Sequence, residues 1–309
     1  MNNELLEVNN LCVSFRMYDK ALTMKELNVI SDLSISVSPG EVLAVAGSSG
    51  SGKSLLAHAI LGILPGNAAV SGSMRFEGSE LTPERQKELR GSRISLVPQS
   101  AAYLDPLMKA ADQVIGHDPD EARIRAQKEI FARLGLGEAA EKMYPFQLSG
   151  GMSRRVLLST AVIGNASVII ADEPTPGMQL EQSLEAMKIF RELADEGKGV
   201  LLITHDIDLA FNFADKVAVF YAGTTVETAY ASDFLADEDA LRHPYSKALW
   251  QALPQNGFVP LEGVQPYSDR LPKGCLFAPR CSRKTKLCEE VRPEMKDVRG
   301  GKARCHYAA

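Results

Sequence analysis

Gly47-Ser48-Ser49-Gly50-Ser51-Gly52-Lys53-Ser54 is the stretch on which the fold turns, and it fits the pattern G-x-x-x-x-G-K-[ST]. Glycines at this spacing let backbone N–H groups converge on phosphate oxygens with no Cβ in the way. A helix opening at the lysine adds its positive N-terminal end. Lys53 can then reach β- and γ-phosphates, and the Ser54 hydroxyl can ligate Mg²⁺. The flanks supply the context such a loop needs. Residues 41–46 (Glu-Val-Leu-Ala-Val-Ala) form an apolar run of strand length, and residues 54–63 follow a helical apolar rhythm stopped by Pro65-Gly66.

Working outward, residues 94–97, 168–171 and 200–203 are further short, continuous apolar runs. Continuous rather than alternating apolarity suits strands buried on both faces, as in a parallel sheet covered by helices. Residues 4–46 read as a β-rich entry, and residues 119–142 and 180–196 carry the charge and Ala/Leu/Glu content of helices. Near residue 243 the composition shifts toward Pro, Gly, Cys and basic residues, and periodicity fades. The expected organisation is a nucleotide-fold domain over 1–242 and a loop-rich extension over 243–309. A length of 309 residues, about twice that of an ordinary domain, is compatible with this.

Composition narrows the classes of function. Lys+Arg 34 against Asp+Glu 39 gives a net charge of −5, which disfavours broad binding to a nucleic-acid backbone. Hydrophobic residues at 45% and charged residues at 24% are ordinary for a globular protein. Residues 1–8 carry two glutamates and no apolar core, unlike a secretory signal. The longest uncharged stretches, 54–74 and 156–171, contain Gly, Ser and Asn and do not read as membrane spans. A soluble, cytoplasmic protein able to dock on a membrane partner is expected.

The run 168–171 ends in Asp172-Glu173, so a buried strand delivers two acids at its carboxyl end. Asp172 is expected to hold Mg²⁺, directly or through water, and Glu173 to polarise an attacking water. Adjacent acids alone are most often a solvated turn. Combined with the glycine loop they imply nucleotide hydrolysis.

Leu148-Ser149-Gly150-Gly151-Met152, about twenty residues before Asp172, resembles the signature of ATP-binding cassette (ABC) ATPases. Gln99 in Ser95-Leu96-Val97-Pro98-Gln99 resembles that family's Q-loop, and His205 in Ile203-Thr204-His205-Asp206 its switch histidine. The resemblance covers roughly residues 5–255. It implies an α/β fold, a P-loop NTPase (RecA-like) cassette with a β-rich N-terminal subdomain and a helical subdomain over about 101–165, here followed by a cysteine-rich extension. It also implies ATP and Mg²⁺ as ligands and two such domains closing face to face on two ATP molecules. In that arrangement Ser149, Gly150 and Gly151 cap the γ-phosphate on the partner, His205 and Glu173 hold the γ-phosphate and water, and Gln99 senses Mg²⁺ and links to the membrane subunit.

Within the family, Met152-Ser153-Arg154-Arg155-Val156, Leu104-Asp105-Pro106 with Gln113, and Tyr221-Ala222-Gly223 with Val226-Glu227 look like the peptide/nickel importer branch. So does His243-Pro244-Tyr245-Ser246-Lys247-Ala248-Leu249. The branch implies an ATP-hydrolysing subunit at the cytoplasmic face of the membrane. Its partners would be two permease subunits, a second ATPase and, indirectly, a solute-binding protein. The alternative is a non-transport ABC ATPase acting on nucleic acid or ribosomes, which predicts basic patches that this sequence lacks. One departure stands out: Gln179 occupies the position after Glu173 where the family usually places an aspartate. A heterodimer with a non-identical ATPase, and slow turnover by the chain alone, are expected from it. Phe15, Tyr18 and Met24 are the candidates to stack on adenine.

Cys275, Cys281, Cys288 and Cys305 crowd the extension in the spacing C-x₅-C-x₆-C-x₁₆-C, leaving Cys12 apart. A short segment poor in apolar residues commonly needs a metal staple. Four thiolates suit zinc or an iron–sulfur cluster, and free or disulfide-linked thiols are also open. Gly274-Cys275-Leu276-Phe277-Ala278-Pro279-Arg280-Cys281 resembles the tail of peptide-importer ATPases, which implies a [4Fe–4S] cluster.

Overall fold

The computed structural model describes residues 4–18, 23–48, 50–116 and 119–308. The chain opens with two long strands, β1 (Leu6–Tyr18) and β2 (Met24–Val37), followed by β3 (Val42–Gly47) and α1 (Lys53–Leu61). After β4 (Ala68–Phe76), β5 (Ser79–Glu80) and α2 (Pro83–Leu89) comes β6 (Ile94–Val97). A helical block follows: α3 (Ala110–Ile115), α4 (Glu121–Arg133), α5 (Glu138–Glu141) and α6 (Gly150–Val162). The chain then alternates through β7 (Val168–Asp172), α7 (Leu180–Asp195), β8 (Gly199–Ile203), α8 (Ile207–Phe213) and β9 (Lys216–Tyr221). It continues with β10 (Thr224–Tyr230), α9 (Ala231–Ala236), α10 (Pro244–Gln251), α11 (Lys286–Glu290), β11 (Lys296–Val298) and β12 (Gly301–Ala303).

The main sheet has the order β11-β12-β10-β9-β3-β8-β7-β6. From β9 through β6 every neighbour runs parallel, so the carboxyl ends of β3, β8, β7 and β6 share one edge. Parallel strands covered on both faces must be apolar on both, which explains the continuous runs. β3 shows the division: Val42, Ala44 and Ala46 join one core cluster with residues of α6, α7 and α8, while Leu43 and Val45 join a second with Leu56 and Ile60 of α1. A separate antiparallel sheet, β2-β1-β4-β5, packs Leu6, Val8, Leu33 and Val37 into that second cluster. Burying each Leu or Val contributes about 1.5–3 kcal/mol, so these two layers fix the frame around the loops.

Two expectations change. The helical pattern over 119–142 is interrupted: α4 stops at Arg133, Gly135 turns with φ 63°, and α5 is a single turn. A left-handed residue just past the last turn is a helix stop, and glycine adopts it without strain. Arg155 of α6 then caps the break, its guanidinium donating to Leu134 O (2.7 Å) and Gly135 O (2.9 Å). The tail is also more than loops, because the β11–β12 hairpin extends the main sheet through β10. Among the described residues no helix is long and apolar enough to cross a membrane.

Candidate functional site

Four loops meet where β3, β8, β7 and β6 end, the place where open parallel sheets bind ligands. Leaving β3, Gly47 lies so close to β9 that a Cβ would sit 2.3 Å from Phe220 O, so only glycine allows the turn. Gly52 then N-caps α1, which starts at Lys53. Gly50, Gly52, Lys53, Ser54, Gln99, Glu173 and His205 line one cleft, with Val29 and Leu55 as its apolar wall. Ser51 is fully buried beneath it, and Ser49 lies outside the described residues.

The Lys53 ammonium donates to Gly47 O (2.8 Å) and Ser48 O (3.1 Å), which holds it in the loop's mouth. Burial lowers its pKa, while Glu173 and then Asp172 pull in the opposite direction. Ser54 Oγ donates to Asp172 Oδ1 at 3.1 Å, joining the start of α1 to the end of β7. Burial raises the Asp172 pKa, opposed first by that Ser54 hydrogen bond. A divalent cation bound there would favour the charged carboxylate. One serine hydroxyl and one acid, completed by phosphate oxygens and water, suit the octahedral taste of Mg²⁺.

Glu173 follows β7 in the left-handed region, at φ 51°. For a residue with a side chain this conformation costs about 1–3 kcal/mol, and it persists only where surroundings enforce it. Here they do: Glu173 N donates to Ile203 O (2.8 Å), and Arg154 of α6 donates to Glu173 O (2.7 Å). The twist aims the carboxylate across to β8, where Glu173 Oε2 meets His205 Nδ1 at 2.6 Å. His205 is largely exposed, while Glu173 is buried.

Ser149, Gly150 and Gly151 do not line the cleft. Ser149 N-caps α6, accepting from Met152 N (3.3 Å), and Ser149 and Gly150 are exposed. Gly151 packs tightly on the loop after Glu173: a Cβ there would meet Gly177 O at 2.8 Å.

Comparison with known proteins fits this geometry. An ABC transporter family signature matches residues 30–176, and one for the oligopeptide/dipeptide transporter C-terminal region matches residues 226–288. The oligopeptide transport ATP-binding protein OppD of Haemophilus influenzae is 34% identical, over 98% of this chain and 96% of its own. The protein of the same name from Salmonella typhimurium is 35% identical over 94% of this chain and 90% of its own.

The chain belongs to the ABC transporter ATP-binding family.

A dimeric bacterial ABC transporter cassette shares the fold at a TM-score of 0.65 and 24% identity, over 73% of this chain and 98% of that one. A nucleotide-free ATP-binding cassette does so at 0.59 and 23%, over 74% and 91%. As an ABC cassette this protein is an ATPase that works with ATP and Mg²⁺.

Sequence reasoning missed three contributors to this ABC site. In the sequence Arg154 reads only as a branch marker. Tyr245 and Gln265, far along the chain, both bond Ser48: its N–H donates to the Tyr245 hydroxyl (3.3 Å) and its Oγ donates to Gln265 Oε1. For Tyr245 the signal was the heptad 243–249, and for Gln265 there was none. Of the adenine candidates, Tyr18 and Met24 pair across β1 and β2 and are largely exposed, while Phe15 is half-buried against the second core cluster.

Cys275, Cys281, Cys288 and Cys305 line one cavity with Phe277, Ala278 and Pro293. Burial raises the pKa of Cys275, Cys281 and Cys305, and other cysteines of the set add to each rise by charge repulsion. Backbone N–H groups point at the sulfurs, as Tyr307 N does at Cys305 Sγ (3.4 Å). Among the described residues no group of three His, Cys, Asp or Glu side chains is arranged to hold a metal ion, so the zinc alternative finds no ready site. Four thiols lining one cavity are the ligand type of an iron–sulfur cluster, but as arranged they are gathered around a common metal position no more for a cluster than for zinc.

Proposed function

We propose that this ATPase energises a membrane importer of peptides from the cytoplasmic face, docked on two permease subunits and paired with a second ATPase. A solute-binding protein would deliver cargo to the far side. The close relatives are named for oligopeptide transport, which favours peptides over nickel as the solute. The observation that carries the hydrolytic reading is the Glu173–His205 pair at 2.6 Å beside the Ser54–Asp172 pair in the cleft behind Lys53. Residues 1–242 would act as the nucleotide-binding domain and 243–309 as the importer-type extension.

In this reading Gly47, Ser48, Ser49, Gly50, Ser51 and Gly52 shape the cradle and Lys53 neutralises the β- and γ-phosphates. Glu173 accepts the proton of a water that attacks the γ-phosphorus as the bond to the bridging oxygen breaks, giving ADP and phosphate. His205 orients Glu173 and the γ-phosphate. Ser54, Asp172 and Gln99 would hold Mg²⁺, which when bound neutralises charge building on the phosphate oxygens. Ser149 and Gly150, exposed, and Gly151 beside them, all away from their own chain's cleft, would serve the partner's ATP from the N-terminus of α6. Gln179, standing where the family usually places an aspartate, supports pairing with a non-identical subunit. The test is ATPase activity of this chain with and without permeases, sister subunit and peptide-loaded binding protein. Stimulation by peptide supports the reading, and cooperative, fast turnover by the chain alone overturns the heterodimer.

Cys275, Cys281, Cys288 and Cys305 would hold a [4Fe–4S] cluster that staples the tail. Anaerobically purified protein should then be brown and contain iron. A colourless, iron-free preparation with full activity removes the cluster.

A further inference from the structure

The heptad 243–249 has a structural purpose that reaches the nucleotide. Glu227 is fully buried and accepts from Arg242 N (2.9 Å) and His243 N (2.7 Å), the two N–H groups just ahead of α10. His243 Nδ1 caps the helix by accepting from Tyr245 N (3.0 Å), and Pro244 occupies its first position. This leaves the Tyr245 ring buried between Tyr221 (4.5 Å between centroids) and Phe277 (5.4 Å). Its hydroxyl therefore has a fixed address, and that address is Ser48 N. The Ser48 hydroxyl is engaged separately by Gln265, from the segment between α10 and the first tail cysteine. Two tail residues thus hold the first variable position of the phosphate loop by its backbone and its side chain.

We propose that Tyr245 and Gln265 are positioning residues for the phosphate loop, so that the C-terminal segment sets the affinity of this subunit for MgATP. A cradle of backbone N–H groups binds phosphate well only if its conformation is fixed beforehand. Where it is not, the ordering cost falls on the binding step. Tyr245 and Gln265 anchor the loop at Ser48, just past the end of β3, and Ser51 N turns back to Ser48 O (3.3 Å), so the fixing of Ser48 passes on into the rest of the loop. Neither residue lines the cleft, so neither touches the reacting atoms. Losing an anchor weakens ground state and transition state alike, which raises KM and leaves kcat in place.

The proposal rests on MgATP binding at residues 47–54, and the test separates the two. The full-length chain, as wild type, Tyr245→Phe, Gln265→Ala, Ser48→Ala and the Ser48→Ala/Gln265→Ala double variant, is titrated with MgATP by calorimetry. Steady-state ATPase is then measured over a range of ATP concentrations. Tyr245→Phe keeps the ring and removes only the acceptor, so Kd and KM should rise about 3- to 10-fold, the worth of one hydrogen bond, with kcat within about twofold. Gln265→Ala should shift KM in the same sense, and the double variant should be no worse than Gln265→Ala alone. Unchanged KM in both Tyr245→Phe and Gln265→Ala overturns the proposal. So does a fall in kcat and melting temperature at constant KM, the mark of a residue that only holds the tail. Should Tyr245→Phe fail to fold, the Ser48/Gln265 cycle decides alone. Failure of the wild type to bind MgATP would instead refute the nucleotide site itself.

Discussion

At the residue scale, the backbone of Glu173 decides what the carboxylate can reach. Held at positive φ by Ile203 and Arg154, it points at His205 and not back along β7. Glu173→Gln keeps the volume and removes the base, so ATP hydrolysis should fall by about 10²- to 10⁴-fold with MgATP binding retained. Parallel rate and calorimetric measurements check this, and undiminished turnover would exclude Glu173 as the base. Gly47→Ala forces a Cβ onto Phe220 O and should cost about 1–3 kcal/mol in urea unfolding together with nucleotide affinity. The glycine loop, Asp172, Glu173, Gln99 and His205 were legible because each follows a recognisable strand end within a few residues. The Ser48 contacts were not, since Tyr245 is 197 residues away and Gln265 is 217. Local pattern carries no information about contacts at that separation.

At the element scale, periodicity located β3, β6, β7 and β8, but it ran α4 and α5 together. Their charged, Ala-rich faces look continuous until Gly135 is seen to turn the chain. The tail was harder still, because α10 is fixed by buried polar groups. His243 is fully buried, and burial lowers its pKa from 6.5 to about 3. The unfolded chain takes up a proton below about pH 6.5 and the native one does not until about pH 3. This group therefore costs nothing above pH 6.5 and destabilises progressively as pH falls through that window. Urea midpoints at pH 7.5 and pH 5 should differ more for wild type than for His243→Asn, which keeps an acceptor for Tyr245 N. An equal difference would show that another group governs. Arg242, also buried, pairs with Glu227 and Asp233 (2.8 Å) and donates to Val298 O (2.7 Å) and Arg299 O. Removing one partner of a buried ion pair costs about 3–5 kcal/mol, so Arg242→Met should lower stability by that order and open the tail to limited proteolysis.

At the scale of the whole molecule, order along the sheet places four motifs at one edge, and that is why a linear sequence with correctly ordered motifs was enough to foresee the cleft. What the sequence could not give was the tail's attachment, since two residue pairs between β10 and β12 leave no periodic trace. If Ser149 serves a neighbour, Ser149→Arg should silence hydrolysis at the sister subunit's cradle and spare this chain's own. Complexes carrying the change in one subunit at a time would read this out, and loss confined to this chain's site would contradict it. The tail hairpin has one more consequence. β10 would otherwise present an open row of backbone donors and acceptors to solvent; β12 pairs with it at Glu227 and Thr228, and β11 forms the outer rim, bearing Lys296 and Asp297. Charged, stubby outer strands are how sheets discourage strangers from adding on. A product truncated before residue 296 should thus accumulate as inclusion bodies and not as a merely weakened monomer.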